Sequence, residues 1–247
     1  MTLYQGAAEH YVRGRRDYPA ALGELIRDTL RLDGTGRLLD VGCGPGKLTT
    51  LLAPHFASAV GVDADPGMVA AAAARHPEIE WRHLKAEDLP RDLGTFRCVT
   101  FAQSFDWMDQ PVVAERVRDL IEPGGRWVHV SAQTHRGRGG DVPWDRIEDL
   151  VREHAGDTHH PDASKSGEED VMRAAGYQGP RRIMLPWGES VPRGQDEVVS
   201  AVLSLSWAAP HLFGDGLADF ERDLRGLLGP GPFDEEMERI EIVIWWP

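Results

Sequence analysis

The chain has 247 residues, 41% of them hydrophobic, and a formal net charge of −13. That is enough for one α/β domain with insertions and a sizeable core, and the negative field disfavours a nucleic-acid substrate. Two cysteines, Cys43 and Cys98, exclude a disulfide framework or a four-cysteine zinc site. The first residues contain no apolar signal region, and no apolar run approaches the ~20 residues that span a bilayer. The expectation is a cytoplasmic chain with neither a membrane nor a nucleic-acid partner.

In chain order, Leu22, Leu25, Ile26 and Leu30 recur at helical spacing after Pro19, which predicts a helix over 19–31. The apolar run 37–41 stops at glycines and reads as a buried strand, followed by a helix over 46–54. A second strand is expected at 58–63 and a second helix at 66–75. Strands at 78–84 and 97–102 follow, then a helix at 111–121 that ends at Pro123-Gly124-Gly125, then a fifth strand at 126–132. Regular alternation with short turns predicts parallel strands joined by right-handed crossovers, with ligands at their carboxyl ends. Residues 133–235 are less regular, with two or three helices and a strand near 181–187, and read as a substrate cap with sheet elements. The alternating 238–246 segment reads as a terminal strand. The whole is a single domain: N-terminal lid helices over 1–33, a binding core over 34–132, the cap over 133–235 and the terminal strand over 236–247.

The strongest local signal is LLDVGCGPG at 38–46. Gly42, Gly44 and Gly46 follow a strand and open a helix, so the backbone can pass close to a ligand and present N–H groups to it. Asp40 precedes the loop, and Asp63 ends the second strand, about where an acid accepts from ribose hydroxyls. The dinucleotide fingerprint G-x-G-x-x-G is not met, since the third glycine comes one residue early, and no P-loop is present.

These residues resemble the class I S-adenosylmethionine (SAM) dependent methyltransferases. LLDVGCGPGKLT is similar to their first motif, GVDADPGM to the second, KAEDLP at 85–90 to the third, FRCVTFAQSFDWMD at 96–109 to the fourth, and LIEPGGRWV at 120–128 to the segment before strand five. The subgroup of small-molecule enzymes with a Q-x-F-H-W-like fourth motif fits best, and RRDYP at 15–19 resembles its R-P-x-Y-P. The resemblance covers roughly residues 4–131. It implies a doubly wound, mostly parallel seven-stranded Rossmann-like sheet with a terminal antiparallel strand and a helical cap insertion.

Carried over, the resemblance gives the methionine moiety to Asp40 and to the loop of Gly42, Cys43 and Gly44. The ribose goes to Asp63 with Ala64, the adenine to Met68, Ala86 and Glu87, the neighbourhood of the sulfonium to Gln103, and closure of the N-terminal segment to Tyr11 and Arg15. Three positions depart from the subgroup: Arg16 replaces a proline, Asp106 a histidine, and Lys85 an acid whose place Glu87 takes. SAM is then the cofactor and S-adenosylhomocysteine the product.

A hydroxyl acceptor also needs a base. His135 after strand five, His211 in the cap and Asp106 after strand four are the candidates. Trp107, Trp144, Trp187 and Trp207 could wall an apolar pocket or pack a core. His154, His159, His160 and Asp162 match no zinc spacing and read as a polar loop, so no metal is expected. Arg136 and Arg138 read as solvated, and Cys43 as a small residue that fits. The function expected is methyl transfer to O, N or C of a small molecule, a natural-product intermediate or small carboxylic acid, in secondary metabolism. Alternatives are a SAM-binding regulator or partner subunit without turnover, a nicotinamide oxidoreductase and, against the charge, a nucleic-acid methyltransferase.

Overall fold

A computed structural model describes residues 2–138, 140–158, 167–188 and 190–247. Along the chain run α1 (Ala8–Gly14), α2 (Ala20–Leu30), β1 (Arg37–Val41), α3 (Lys47–Leu52), β2 (Ser58–Asp63), α4 (Pro66–Arg75), β3 (Glu80–His83) and β4 (Phe96–Ala102). Then come α5 (Gln110–Leu120), β5 (Ile121–Ser131), α6 (Trp144–Ala155), α7 (Glu168–Ala174), β6 (Gln178–Pro186) and β7 (Ser190–Arg193). The chain ends with α8 (Gln195–Leu203), α9 (Leu217–Leu228), β8 (Phe233–Glu236) and β9 (Arg239–Trp246). Among the described residues, no helix is long and apolar enough to cross a membrane.

The chain divides into two compact units. The larger takes Tyr18–Ala132, Asp162–Leu185 and Ile240–Pro247, and holds a seven-stranded sheet in the order β3-β2-β1-β4-β5-β9-β6. β1 pairs in parallel with β2 on one side (Leu39 opposite Val60) and with β4 on the other (Asp40 opposite Thr100). β2–β3 and β4–β5 are also parallel, while β9 runs antiparallel to β5. β1 is buried along Leu38–Val41, as a central parallel strand covered on both faces must be. The fold is the mostly parallel, doubly wound sheet that the alternation predicts. The order reverses at β1, so the crevice between the carboxyl ends of β1 and β4 is where a ligand belongs.

Local chemistry sets the elements that frame this crevice. Asp65 caps α4, its carboxylate accepting from the N–H of Gly67 and Met68, and Pro66 supplies a preset φ in the first turn. Asp109 caps α5 in the same way through the Val112 N–H. One face of the sheet is an aromatic stack: Trp127 lies 4.0 Å from Phe101, near parallel, with Phe105 and Tyr177 edge-on to it. β5 begins earlier than the Pro-Gly-Gly signal implies. Ile121 already pairs with Phe96, residues 122–125 bulge out, and pairing resumes at Arg126 opposite Cys98.

The smaller unit takes Met1–Asp17, Gln133–Pro161 and Pro186–Arg239. It pairs β7 with β8 antiparallel and packs helices α6, α8 and α9 around Ile147, Val198, Val202, Phe213, Phe220 and Leu224. α2, expected in a lid, lies in the sheet unit, whereas α1 lies in the smaller one.

Candidate functional site

The glycine loop leaves β1 beside the segment that follows β4. Gly42 has φ 68°, and a Cβ there would come within 2.4 Å of the Ser104 Cβ, so the loop can pass only as glycine. Ser104 holds that approach by donating its hydroxyl to the Val41 carbonyl at 2.6 Å. Gly44 has φ 54° and faces open space: a Cβ there would meet nothing within 4 Å. The loop is thus fixed from below and open above, a cradle for a ligand.

Asp63 closes the loop from β2. One carboxylate oxygen accepts from the Gly44 N–H at 2.8 Å and the other from the Asp65 N–H at 2.8 Å. Each oxygen keeps a lone pair, which suits the hydroxyls of a ribose. Burial raises the Asp63 pKa, and Asp65 adds to that against the two backbone N–H bonds. A negative phosphate at the Gly44 N–H would compete with this carboxylate and be repelled by it. A cationic nucleoside would be welcomed. The residues therefore fit SAM, and Asp63 and the Gly42–Gly44 backbone are those that would hold it. When bound, SAM supplies an electrophilic methyl group on its sulfonium.

The structure places the other expected contacts as follows. Asp40 is fully buried beneath the loop, accepting from the Thr49 hydroxyl at 2.5 Å and the Thr100 hydroxyl at 2.7 Å. It clamps α3 and β4 to β1, and burial pushes its pKa to about 6. Glu87 accepts from the Asp109 N–H at 2.9 Å and is engaged in holding the start of α5. Met68 is buried through α4 and Ala86 through the turn after β3. Cys43 offers its backbone only: the thiol is buried, and burial with Asp63 and Asp40 drives its pKa well up. Ala64 is exposed, its carbonyl 3.1 Å from the His83 ring nitrogen Nε2.

Gln103 follows β4 directly with φ 53°, a left-handed conformation that a side chain of this kind rarely adopts. Its N–H bonds the Val130 carbonyl, and its amide makes no hydrogen bond among the described residues. Asp106 sits on the next turn, Phe105–Trp107, with the Trp107 ring exposed.

Tyr11, Arg15, His135 and His211 belong to the smaller unit. Arg15 is buried with its guanidinium taken: it donates to the Ser204 hydroxyl and carbonyl and lies 3.3 Å from His135 Nδ1, with Tyr11 stacked 4.6 Å below. It is scaffold, not a free arm. Because arginine only donates, His135 Nδ1 must accept and the ring proton sits on Nε2. Burial, then Arg15, Arg136 and Arg193, keep the His135 pKa well below the ordinary histidine range. His211 has the opposite tautomer. Its Nδ1 is 3.1 Å from the Gln5 carbonyl and must donate, which leaves the Nε2 lone pair available.

Beneath His135 lies a buried ion pair that the sequence does not announce. Arg193 and Glu235, each about 1% exposed, meet at 2.7 Å. Arg193 also donates to the carbonyls of His135, Gly14 and Glu197, and Glu235 accepts from Gly137 N–H and Trp144 Nε1. Trp144 is thereby part of this network. Arg136 and Arg138 pair with Glu148 and Glu238. His154 pairs with Asp223, whereas His159, His160 and Asp162 lie outside the described residues. Among the described residues, no three side chains are grouped to hold a metal.

Residues 38–125 match the family described as a methyltransferase domain. An uncharacterized methyltransferase of Mycobacterium tuberculosis is 34% identical over 161 residues, 60% of this chain and 64% of that one. The YcgJ protein of Bacillus subtilis superposes with a TM-score of 0.54 at 18% identity, over 92% of this chain and 97% of that one. The [4+2]-cyclase SpnF superposes at 0.53 with 18% identity, over 94% and 84%. Residues 38–125 thus match a methyltransferase domain, set in a Rossmann-like sheet of the kind SAM-dependent methyltransferases use. Arg15, His135 and Arg193 lie outside the matched residues 38–125, and the chain spans just under two thirds of the length of the mycobacterial relative. The likeness to a cyclase makes plain that the fold alone does not fix the chemistry.

Proposed function

We propose that this chain transfers the methyl group of SAM to an oxygen, nitrogen or carbon of a small-molecule acceptor. The observation that carries the reading is the Asp63 carboxylate on the Gly44 N–H. It spends the amide that a dinucleotide's pyrophosphate would need and leaves a negatively charged, open cradle for a cationic nucleoside. Methyl transfer is an in-line displacement, so holding the acceptor close and aligned supplies much of the rate. Within the smaller unit His211, with its open Nε2, is a side chain fitted to take a proton. His135, with its proton on Nε2, is fitted to donate to a carboxylate or carbonyl rather than to act as a base. The net charge of −13 favours a small acceptor over a nucleic acid.

Calorimetric titration with SAM, S-adenosylhomocysteine and NADH tests the reading. Binding of the first two at roughly micromolar Kd, weakened at least about tenfold by Asp63→Ala and less by Asp63→Asn, is the expected result. NADH binding, or no binding by the folded protein, refutes it. An acceptor screen then separates transfer from mere binding: SAM retention without turnover on any acceptor would favour a regulator or partner subunit.

A further inference from the structure

The cofactor cradle occupies the carboxyl edge of the sheet, and the amino edge carries a separate pocket of about 320 Å³. Three guanidinium-bearing residues line it from three elements: Arg31 at the end of α2, Arg97 near the start of β4, and Arg126 where β5 resumes after its bulge. Thr29 and Gly124 complete the wall on either side.

Arg97 is locked. Its guanidinium donates to the Asp33 carboxylate at 2.8 Å, the Thr35 hydroxyl at 2.9 Å and the Arg31 carbonyl at 3.1 Å. Arg126 is aimed by two carbonyls, Gly124 at 2.6 Å and Gly125 at 2.7 Å, both through Nη1, which leaves Nε and Nη2 to donate. No carboxylate pairs with it among the described residues. Arg31 is the oddity. It caps α2 with φ 52°, where glycine or asparagine is the unstrained choice. Its side chain has no hydrogen bond or ion pair among the described residues. A strained backbone that carries an uncommitted charge is a pattern of binding sites.

The local charge balance points to the ligand. Three arginines line the pocket and one of them, Arg97, is paired with a carboxylate, Asp33, so the lining carries about two uncompensated positive charges in a chain whose net charge is −13. The carbonyls that would repel an anion, those of Arg31, Gly124 and Gly125, are already bonded to guanidiniums. Guanidinium donors converging from several directions suit a tetrahedral dianion better than a single carboxylate. We propose that this pocket binds a phosphate group, either free orthophosphate or the head of a small phosphomonoester. It does so independently of the methyl-transfer reading, because no residue is shared with the cradle.

The test titrates the full chain with inorganic phosphate in a phosphate-free, low-salt buffer, with glycerol phosphate and acetate as parallel arms. The readouts are calorimetry and thermal shift, in wild type, Arg31→Gln and Arg126→Gln. Saturable phosphate binding with Kd below about 1 mM is expected, weakened about tenfold or more in each variant, with SAM affinity unchanged within about twofold. Tighter binding of glycerol phosphate than of phosphate identifies the monoester as the source. The proposal fails if phosphate does not saturate by about 10 mM, if both variants bind as wild type does, or if acetate binds equally well.

Discussion

Gln103 shows how one residue can be held for its side chain at a backbone cost. At φ 53° it pays about 1 kcal/mol that glycine would not. Replacing it with glycine relieves the folded state but loosens the unfolded one by a similar amount. Gln103→Gly should therefore leave stability within about 1 kcal/mol, while Gln103→Val, β-branched at positive φ, should lose about 1–3 kcal/mol. If the amide serves the ligand, the glycine variant keeps its melting temperature yet loses S-adenosylhomocysteine affinity. A glycine variant that unfolds instead would make Gln103 a packing residue. The histidine assignments can be tested without knowing the acceptor. In ¹⁵N-histidine NMR, His135 should show the Nε2–H tautomer and titrate below the ordinary histidine range, because burial and three arginines oppose its charge. His211 should show Nδ1–H. Arg15→Leu should release the His135 tautomer, and an unchanged spectrum in that variant would sink the role given to Arg15.

At the scale of elements, the Arg193–Glu235 pair ties β7 to β8 and anchors the loop carrying His135. Removing one partner of so dry a pair strands a buried charge, so Glu235→Gln should cost about 3–5 kcal/mol in denaturant unfolding. The double variant Arg193→Met with Glu235→Met should recover much of that loss, and strict additivity of the two single losses would mean the pair is not coupled. Nothing in the sequence marks this pair. Glu235 is held inward by Arg193, 42 residues away, and by Gly137 and Trp144, over 90 residues away. By contrast β1, β2 and α4 were legible to within a residue or two, because an apolar run closed by glycines and an Asp-Pro start are local signals. The glycine loop after β1 and the aspartate that ends β2 are local signals of the same kind. The two hydroxyl partners of Asp40 are not: they depend on the β1–β4 register, which sets Thr100 opposite it. Arg15 likewise finds Ser204 across 189 residues of chain.

For the molecule as a whole, the same buried carboxylates set how stability varies with pH. Asp40 has a folded-state pKa near 6 against 3.8 in a free chain, chiefly because burial disfavours its charge. Between those values the folded state binds a proton that the unfolded state has lost, so unfolding is opposed most at low pH. The contribution is full below about pH 4 and is lost as the pH rises through 6, with a total of about 3 kcal/mol at 1.36 kcal/mol per unit. Asp63, raised for the same reason, pushes in the same direction. Asp40→Asn removes this dependence while keeping partners for both hydroxyls, since Thr49 and Thr100 can accept as well as donate. Relative to that variant, wild type should lose about 2–3 kcal/mol between pH 4 and pH 7, read from denaturant midpoints at each pH. Parallel pH profiles would mean that Asp40 stays charged in the fold. The cradle would then rest on an ionised aspartate that its two hydroxyls alone suffice to hold.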